Sequence, residues 1–325
     1  MENEGSNSLH SFVKKRNSMA LRGKMENSHP IAKLAVWFGS MFLCFLFAMV
    51  IIAIMMGENA KMDVNLYKWM QFFQSTALFL LPAIFIAHIS SQEPWKWLGF
   101  RKKVSWQSLV WAVAIMLVAL PAINLFSHLN QQMSLPSMFE GLEAWMKTKE
   151  TENAWLTKLI MSDSSYSGLV INLLLMAVLP AVSEELTFRG VLQRFFTSKK
   201  NMSNVSNDVP HAAIWVTAII FSAIHLQFYG FVPRMLMGAL FGYMMVWTGS
   251  MWVPMLMHFV NNGLAVLLYF MANRANWDMD KVDAIGTSNT LWLGVVSILF
   301  TIVGIYCFRR SITIRSASSR ISKGN

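Results

Sequence analysis

Glu184, Glu185 and Arg189 stand in the segment Ala181-Val182-Ser183-Glu184-Glu185-Leu186-Thr187-Phe188-Arg189-Gly190, and residues 164–183 before them carry no charge and are rich in Leu and Val. Placing an ionisable group in hydrocarbon costs roughly 2.5–3.5 kcal/mol on insertion scales, so such a residue is functional by default. Glu185 and Arg189 are four apart, one turn along one helix face, with the carboxylate N-terminal, the favourable order for an ion pair. Glu184 is rotated from that face by about 100° and meets a different neighbour. One carboxylate can therefore be held by Arg189 while the other acts as a general base.

Two histidines in apolar surroundings extend the constellation. One ends Phe221-Ser222-Ala223-Ile224-His225, and the other opens His258-Phe259-Val260-Asn261-Asn262. His258 and Asn262, at i and i+4, point at one space. Pro180 and Pro254 each stand four residues before an ionisable group, Glu184 and His258 respectively. A proline removes a helical hydrogen bond and tends to kink the helix, which opens room for water beside the polar side chain.

The elements that must position these groups are membrane helices. Hydrophobic residues make up 55% of the 325 and charged residues 14%, with a mean hydropathy of +0.43; a soluble domain averages about 25% charged. Apolar windows long enough to cross a bilayer, about 20 helical residues, cover 34–56, 69–92, 105–126, 164–183, 209–233, 235–273 and 284–308. The sixth is too long for one crossing and holds a turn at Thr248-Gly249-Ser250, so the expectation is an all-α, polytopic membrane protein of about eight transmembrane helices.

Charge sets the orientation. The segments on one side of eight helices hold 18 Lys and Arg and those on the other hold 8, while acidic residues divide 5 against 10. Both termini are thus expected in the cytoplasm, in a plasma or inner membrane. The net charge of +10 lies near membrane ends, as in Lys14-Lys15-Arg16 and Arg309-Arg310, which topology and anionic lipid explain without nucleic acid. Residues 1–30 read as a mobile basic tail and 309–325 as a second one. Residues 31–163 hold helices 1 to 3 and an external stretch, and 164–308 form the catalytic core. The external stretch, 127–163, is either an amphipathic helix along the outer membrane surface or an exposed loop. Cys44 and Cys307 fall within helices, so no disulfide is expected. Gly238-Ala239-Leu240-Phe241-Gly242 is a small-xxx-small pattern for close helix approach within the monomer. Ser222 and Asn261 read as packing polars.

Depth tests whether the chemical groups can meet. At about 1.5 Å per residue, Glu184 lies roughly 15 Å from a helix end near Arg194, His258 roughly 10 Å from Met251 and His225 roughly 21 Å from His211. They meet only if helix 5 tilts or starts later than its window, and the resulting cavity is buried and opens toward the cytoplasmic half.

Glu-Glu-x-x-x-Arg, then Phe-x-x-x-His, then His-x-x-x-Asn, on successive late membrane helices, resembles the CPBP family, which includes CAAX prenyl endopeptidases of the Ras-converting type and bacteriocin-immunity or abortive-infection proteins. The resemblance is confined to roughly residues 165–270. It implies an intramembrane endopeptidase in which Glu184 and His225 activate the attacking water, His258 and Asn262 stabilise the tetrahedral oxyanion, and Glu185 with Arg189 is the supporting pair. A good oxyanion donor is worth roughly 3–4 kcal/mol in soluble hydrolases. The same residues admit a zinc version, with Glu184, His225 and His258 as ligands, but the sequence lacks His-Glu-x-x-His on one helix and does not require a metal. The expectation is a metal-free enzyme acting on a membrane-anchored or lipidated peptide or protein. Its rivals are a non-proteolytic immunity or scaffold protein on the same fold and a solute or proton pathway, although the charges cluster at one level rather than along a route across the membrane.

Overall fold

The computed structural model describes residues 21–57, 63–197 and 209–324, and side chains for all of these except 280 and 316–324. Residues 1–20 of the expected basic tail lie outside the described residues. The described chain is helical throughout: α1 (Pro30–Met56), α2 (Val64–Ser90), α3 (Trp106–Gln131), α4 (Glu140–Ile160), α5 (Tyr166–Phe196), α6 (His211–Ala223), α7 (Phe231–Thr248), α8 (Trp252–Ala275) and α9 (Leu291–Gly324), with single turns between some of them. Local chemistry sets many of the ends. Asp63, Ser105 and Ser165 cap α2, α3 and α5 by accepting from the backbone N–H three residues on, as N-cap side chains do. Gly249 ends α7 at φ 63°, the left-handed cap that glycine adopts without strain.

The chain is an integral, multi-pass membrane protein. Helices form within each of the eight expected spans, but only six of the described helices are long and apolar enough to cross a bilayer: α1, α2, α3, α5, α8 and the helix containing α9. The window over 209–233 does not stay helical. It yields α6, 13 residues long and about 20 Å, then a turn, then the start of α7. The stretch read as either amphipathic helix or loop is the helix α4. Beyond residue 308 the chain continues as part of α9.

Helix α5 is the centre of the bundle, because residues 183–193 are all buried, as a helix enclosed on every face must be. Helices α2, α6, α7 and α8 surround it. Many apolar side chains on α1 and α9, such as Phe42, Phe47, Leu299 and Phe300, point outward, where lipid is the solvent. Pro121 interrupts α3, and Ser297 of α9 mends the break: its hydroxyl donates to the Val118 carbonyl (2.5 Å) and accepts from the Ala122 N–H (3.1 Å). The basic end of the core is closed where Gly99, at φ +90°, meets the α7–α8 turn, the Met251 N–H donating to the Gly99 carbonyl (3.2 Å).

Candidate active site

Two π-helical segments shape α5 on either side of the carboxylates, Leu173–Val178 and Leu186–Leu192; such widened turns gather at functional sites. The first precedes Pro180, whose ring nitrogen cannot donate to the Met176 carbonyl four residues back. Asn262 of α8 fills that vacancy, its side-chain N–H donating to the Met176 oxygen (3.1 Å). Asn261 in turn donates to the Asn262 side-chain oxygen (3.1 Å). Among the described residues no hydrogen bond joins Asn262 to Glu184, His225 or His258. The expected oxyanion donor thus has one amide hydrogen committed to mending α5.

Glu185 and Arg189 form the pair their spacing predicts, Nη1 donating to Oε1 at 2.7 Å with both side chains fully buried. Arg189 also donates through Nη2 to the Gly238 carbonyl (2.9 Å), and its guanidinium faces the rings of Phe221 (4.7 Å) and Phe241 (5.3 Å). Phe241 stacks on His258 as well, with ring centroids 5.6 Å apart and planes at 28°. Sequence reading missed this role of Phe241, although its position three residues after Gly238 puts both on one face of α7. Close approach makes the carbonyl contact possible. A Cβ on Gly238 would lie 3.1 Å from the Phe221 ring and 3.3 Å from Ala218 of α6, so the small-xxx-small pattern serves packing within the monomer. Gly238→Val is expected to cost about 1–3 kcal/mol through overpacking, read as a lowered unfolding midpoint in detergent; an unchanged midpoint contradicts the packing.

Glu184 faces the other way and is the reactive candidate. Its Oε2 is buried without a hydrogen-bond partner, 3.8 Å from His225 Nε2 and 3.9 Å from His258 Nε2. Each histidine is oriented from behind. His225 Nδ1 lies 2.7 Å from the Phe221 carbonyl and His258 Nδ1 lies 2.9 Å from Glu185 Oε1. Carbonyl and carboxylate oxygens only accept, so each Nδ1 carries its hydrogen, and in the neutral ring each Nε2 presents a lone pair toward Glu184.

His225 is not in a helix, as its window suggested, but in the turn that follows α6. Leu226, beside it, holds φ +53°, a conformation that costs a non-glycine residue roughly 1–2 kcal/mol and recurs where function fixes the backbone. The Ser222 hydroxyl ties the turn to α7 by donating to the Phe231 carbonyl (2.7 Å), in keeping with its reading as a packing polar. The difficulty over depth is resolved here, because the three groups do meet: Glu184 Oε2 stands 3.8 Å from His225 Nε2 and 3.9 Å from His258 Nε2.

On the basic side Leu98, Val191, Leu192 and Met251 belong to one buried apolar cluster with Phe188 and Phe221. The most accessible of the three groups is His225, with 27% of its side chain exposed against 12% for Glu184 and 6% for His258. Its turn meets α4, where Trp145 packs on Phe228 (5.6 Å).

The described helices thus set a buried carboxylate against two oriented imidazoles, an arrangement able to hold and polarise a water molecule. Residues 166–264 match the family model described as type II CAAX prenyl endopeptidase Rce1-like, a span that holds every motif residue discussed above, so the core from α5 into α8 is similar to that family. The uncharacterised protein YpbD of Bacillus subtilis (strain 168) is 28% identical over 120 residues, 36% of this chain and 53% of that protein. The chain thus spans about half the length of the curated relative it matches. No solved structure matches it.

Proposed function

We propose that the protein is an intramembrane endopeptidase that hydrolyses a peptide bond of a membrane-anchored or lipidated substrate, with water activated by Glu184 and His225. The observation that carries this reading is the unpartnered Glu184 Oε2 facing two Nε2 lone pairs at 3.8 and 3.9 Å. Two groups that each hydrogen-bond one water at about 2.8 Å can stand that far apart without moving. A water there gives one hydrogen to Glu184 and the other to a histidine, leaving a lone pair for the substrate carbonyl. As the oxygen attacks the carbonyl carbon, Glu184 takes the proton and returns it to the departing amine. His258 offers a hydrogen to the oxyanion only as imidazolium, and Asn262 only through its second amide hydrogen.

The zinc version is favoured by one observation. A carboxylate behind His258 and a carbonyl behind His225 are the partners that metal-binding histidines have, but among the described residues no three His, Cys, Asp or Glu side chains stand close enough to hold a metal ion. Tetrahedral ligands at about 2.0–2.1 Å from zinc are about 3.3 Å apart, so the site would have to close by about half an ångström. Zinc would polarise the carbonyl and acidify the water.

Cleavage of membrane-anchored peptides by purified protein in liposomes, with and without a strong chelator, separates the two. The metal-free reading expects rates indifferent to chelator and reduced about 10²–10⁴-fold in His225→Ala. Loss on chelation restored by zinc makes the three residues ligands, and a cell phenotype that persists in Glu184→Ala points to the immunity or scaffold role. By the positive-inside rule the termini are cytoplasmic.

A further inference from the structure

Arg234 opens α7 one turn before Gly238, on the side of the site where His225 is exposed. It lies within electrostatic reach of Glu184 and His225, yet no carboxylate among the described residues comes within ion-pair distance of it. What holds it is the turn itself: Nη2 donates to Gln227 Oε1 (2.5 Å) and Nη1 to the Gln227 carbonyl (3.4 Å). The carboxylate that acts on it most strongly is Glu150 of α4, which makes no ion pair with it and has its own Oε2 buried without a partner. Tyr229, on the same turn, likewise has a buried hydroxyl without a partner.

Such a cluster is costly at rest. A half-buried guanidinium has five N–H donors in a planar fork that suits a carboxylate bidentately, and here two of its contacts go to one glutamine. Buried polar atoms without partners are uncommon in native structures and ask for an explanation such as a ligand. The water-activating mechanism uses none of Arg234, Gln227, Tyr229 or Glu150. Yet a substrate that enters by the exposed face of His225 passes the turn that bears Gln227 and Tyr229 and holds Arg234.

We propose that Arg234, held by Gln227, is a substrate-binding residue that takes a carboxylate of the peptide close to the scissile bond. This rests on the endopeptidase reading. The anion is either the free C-terminus of the substrate or an acidic side chain, and both present the same planar acceptor to the guanidinium. Binding at Arg234 ties the substrate to the turn that carries His225, so that the carbonyl is placed against Glu184.

The test uses the full chain in liposomes and four membrane-anchored peptides of one sequence, ending in a free carboxylate or an amide, each with a glutamate or a glutamine near the cleavage point. Wild type is expected to favour the carboxylate form of one pair by about ten- to a hundredfold in kcat/KM, the worth of a charged hydrogen-bonded contact. The favoured pair identifies the source of the anion. Arg234→Gln should bring that ratio close to one, mainly through KM, and Arg234→Lys should keep part of it. A merely bracing role predicts equal losses on all four peptides with the ratios preserved, which would overturn the proposal and leave the endopeptidase standing. If wild type cuts none of them, the endopeptidase reading fails. Equilibrium binding of the same peptides, fluorescently labelled, then decides the Arg234 site separately: a carboxylate preference lost in Arg234→Gln upholds it, and indifference to the anion rejects it.

Discussion

Glu184→Gln is expected to abolish peptide cleavage while leaving the protein folded. The substitution keeps the size of the side chain and removes the charge and the proton-accepting oxygen, and loss of a general base costs about 10²–10⁴-fold in rate. Stability should not fall, because no hydrogen bond is made to Glu184 Oε2 and a buried carboxylate without a bonded partner is unfavourable to folding. Initial rates on a membrane-anchored peptide, measured beside the unfolding midpoint in detergent, check both halves. A variant that retains its rate within a few-fold removes Glu184 from the chemistry, and one that unfolds makes it a structural residue.

Arg189→Met is expected to have the largest effect on stability. It strands the Glu185 carboxylate, whose side chain is fully buried, and breaking a buried pair from one side typically costs about 3–5 kcal/mol. The loss spreads to the chemistry because Glu185 also holds His258 (2.9 Å) and Arg189 holds α7 through the Gly238 carbonyl (2.9 Å). Pairing Arg189→Met with Glu185→Gln should recover part of the stability, since no uncompensated charge is then left inside. His258 nevertheless loses the carboxylate behind it, so activity should not return with stability. Unfolding midpoints of the two single variants and the double form a cycle. Additive losses would mean that the pair is not coupled.

The ion pair was legible before any fold was known, because a helix of constant pitch puts residues four apart on one face whatever surrounds it. Glu184 was separable from Glu185 on the same ground. The helical windows were legible because hydrocarbon tolerates only backbones that satisfy their own hydrogen bonds. What could not be read was where a window stops. The 209–233 window carries no charged residue, yet the chain turns at 224–230, and that turn is secured by contacts far away in sequence: Asn130 donates to the Phe228 carbonyl (2.9 Å) and accepts from the Val232 N–H (2.7 Å).

Asn262 shows the same division. Its spacing from His258 pointed both at one space, while the carbonyl that claims its amide is freed by Pro180 on another helix, a partnership that only packing reveals. The sequence by itself determined the membrane class and which polar residues share a face within one helix, since these follow from hydropathy and from periodicity within single helices. Only the tertiary structure decided the level at which the helices meet, the orientation of each imidazole, the stack of Phe241 on His258 and the side on which the site is exposed. Those depend on distances between segments remote in the chain, which no local period encodes.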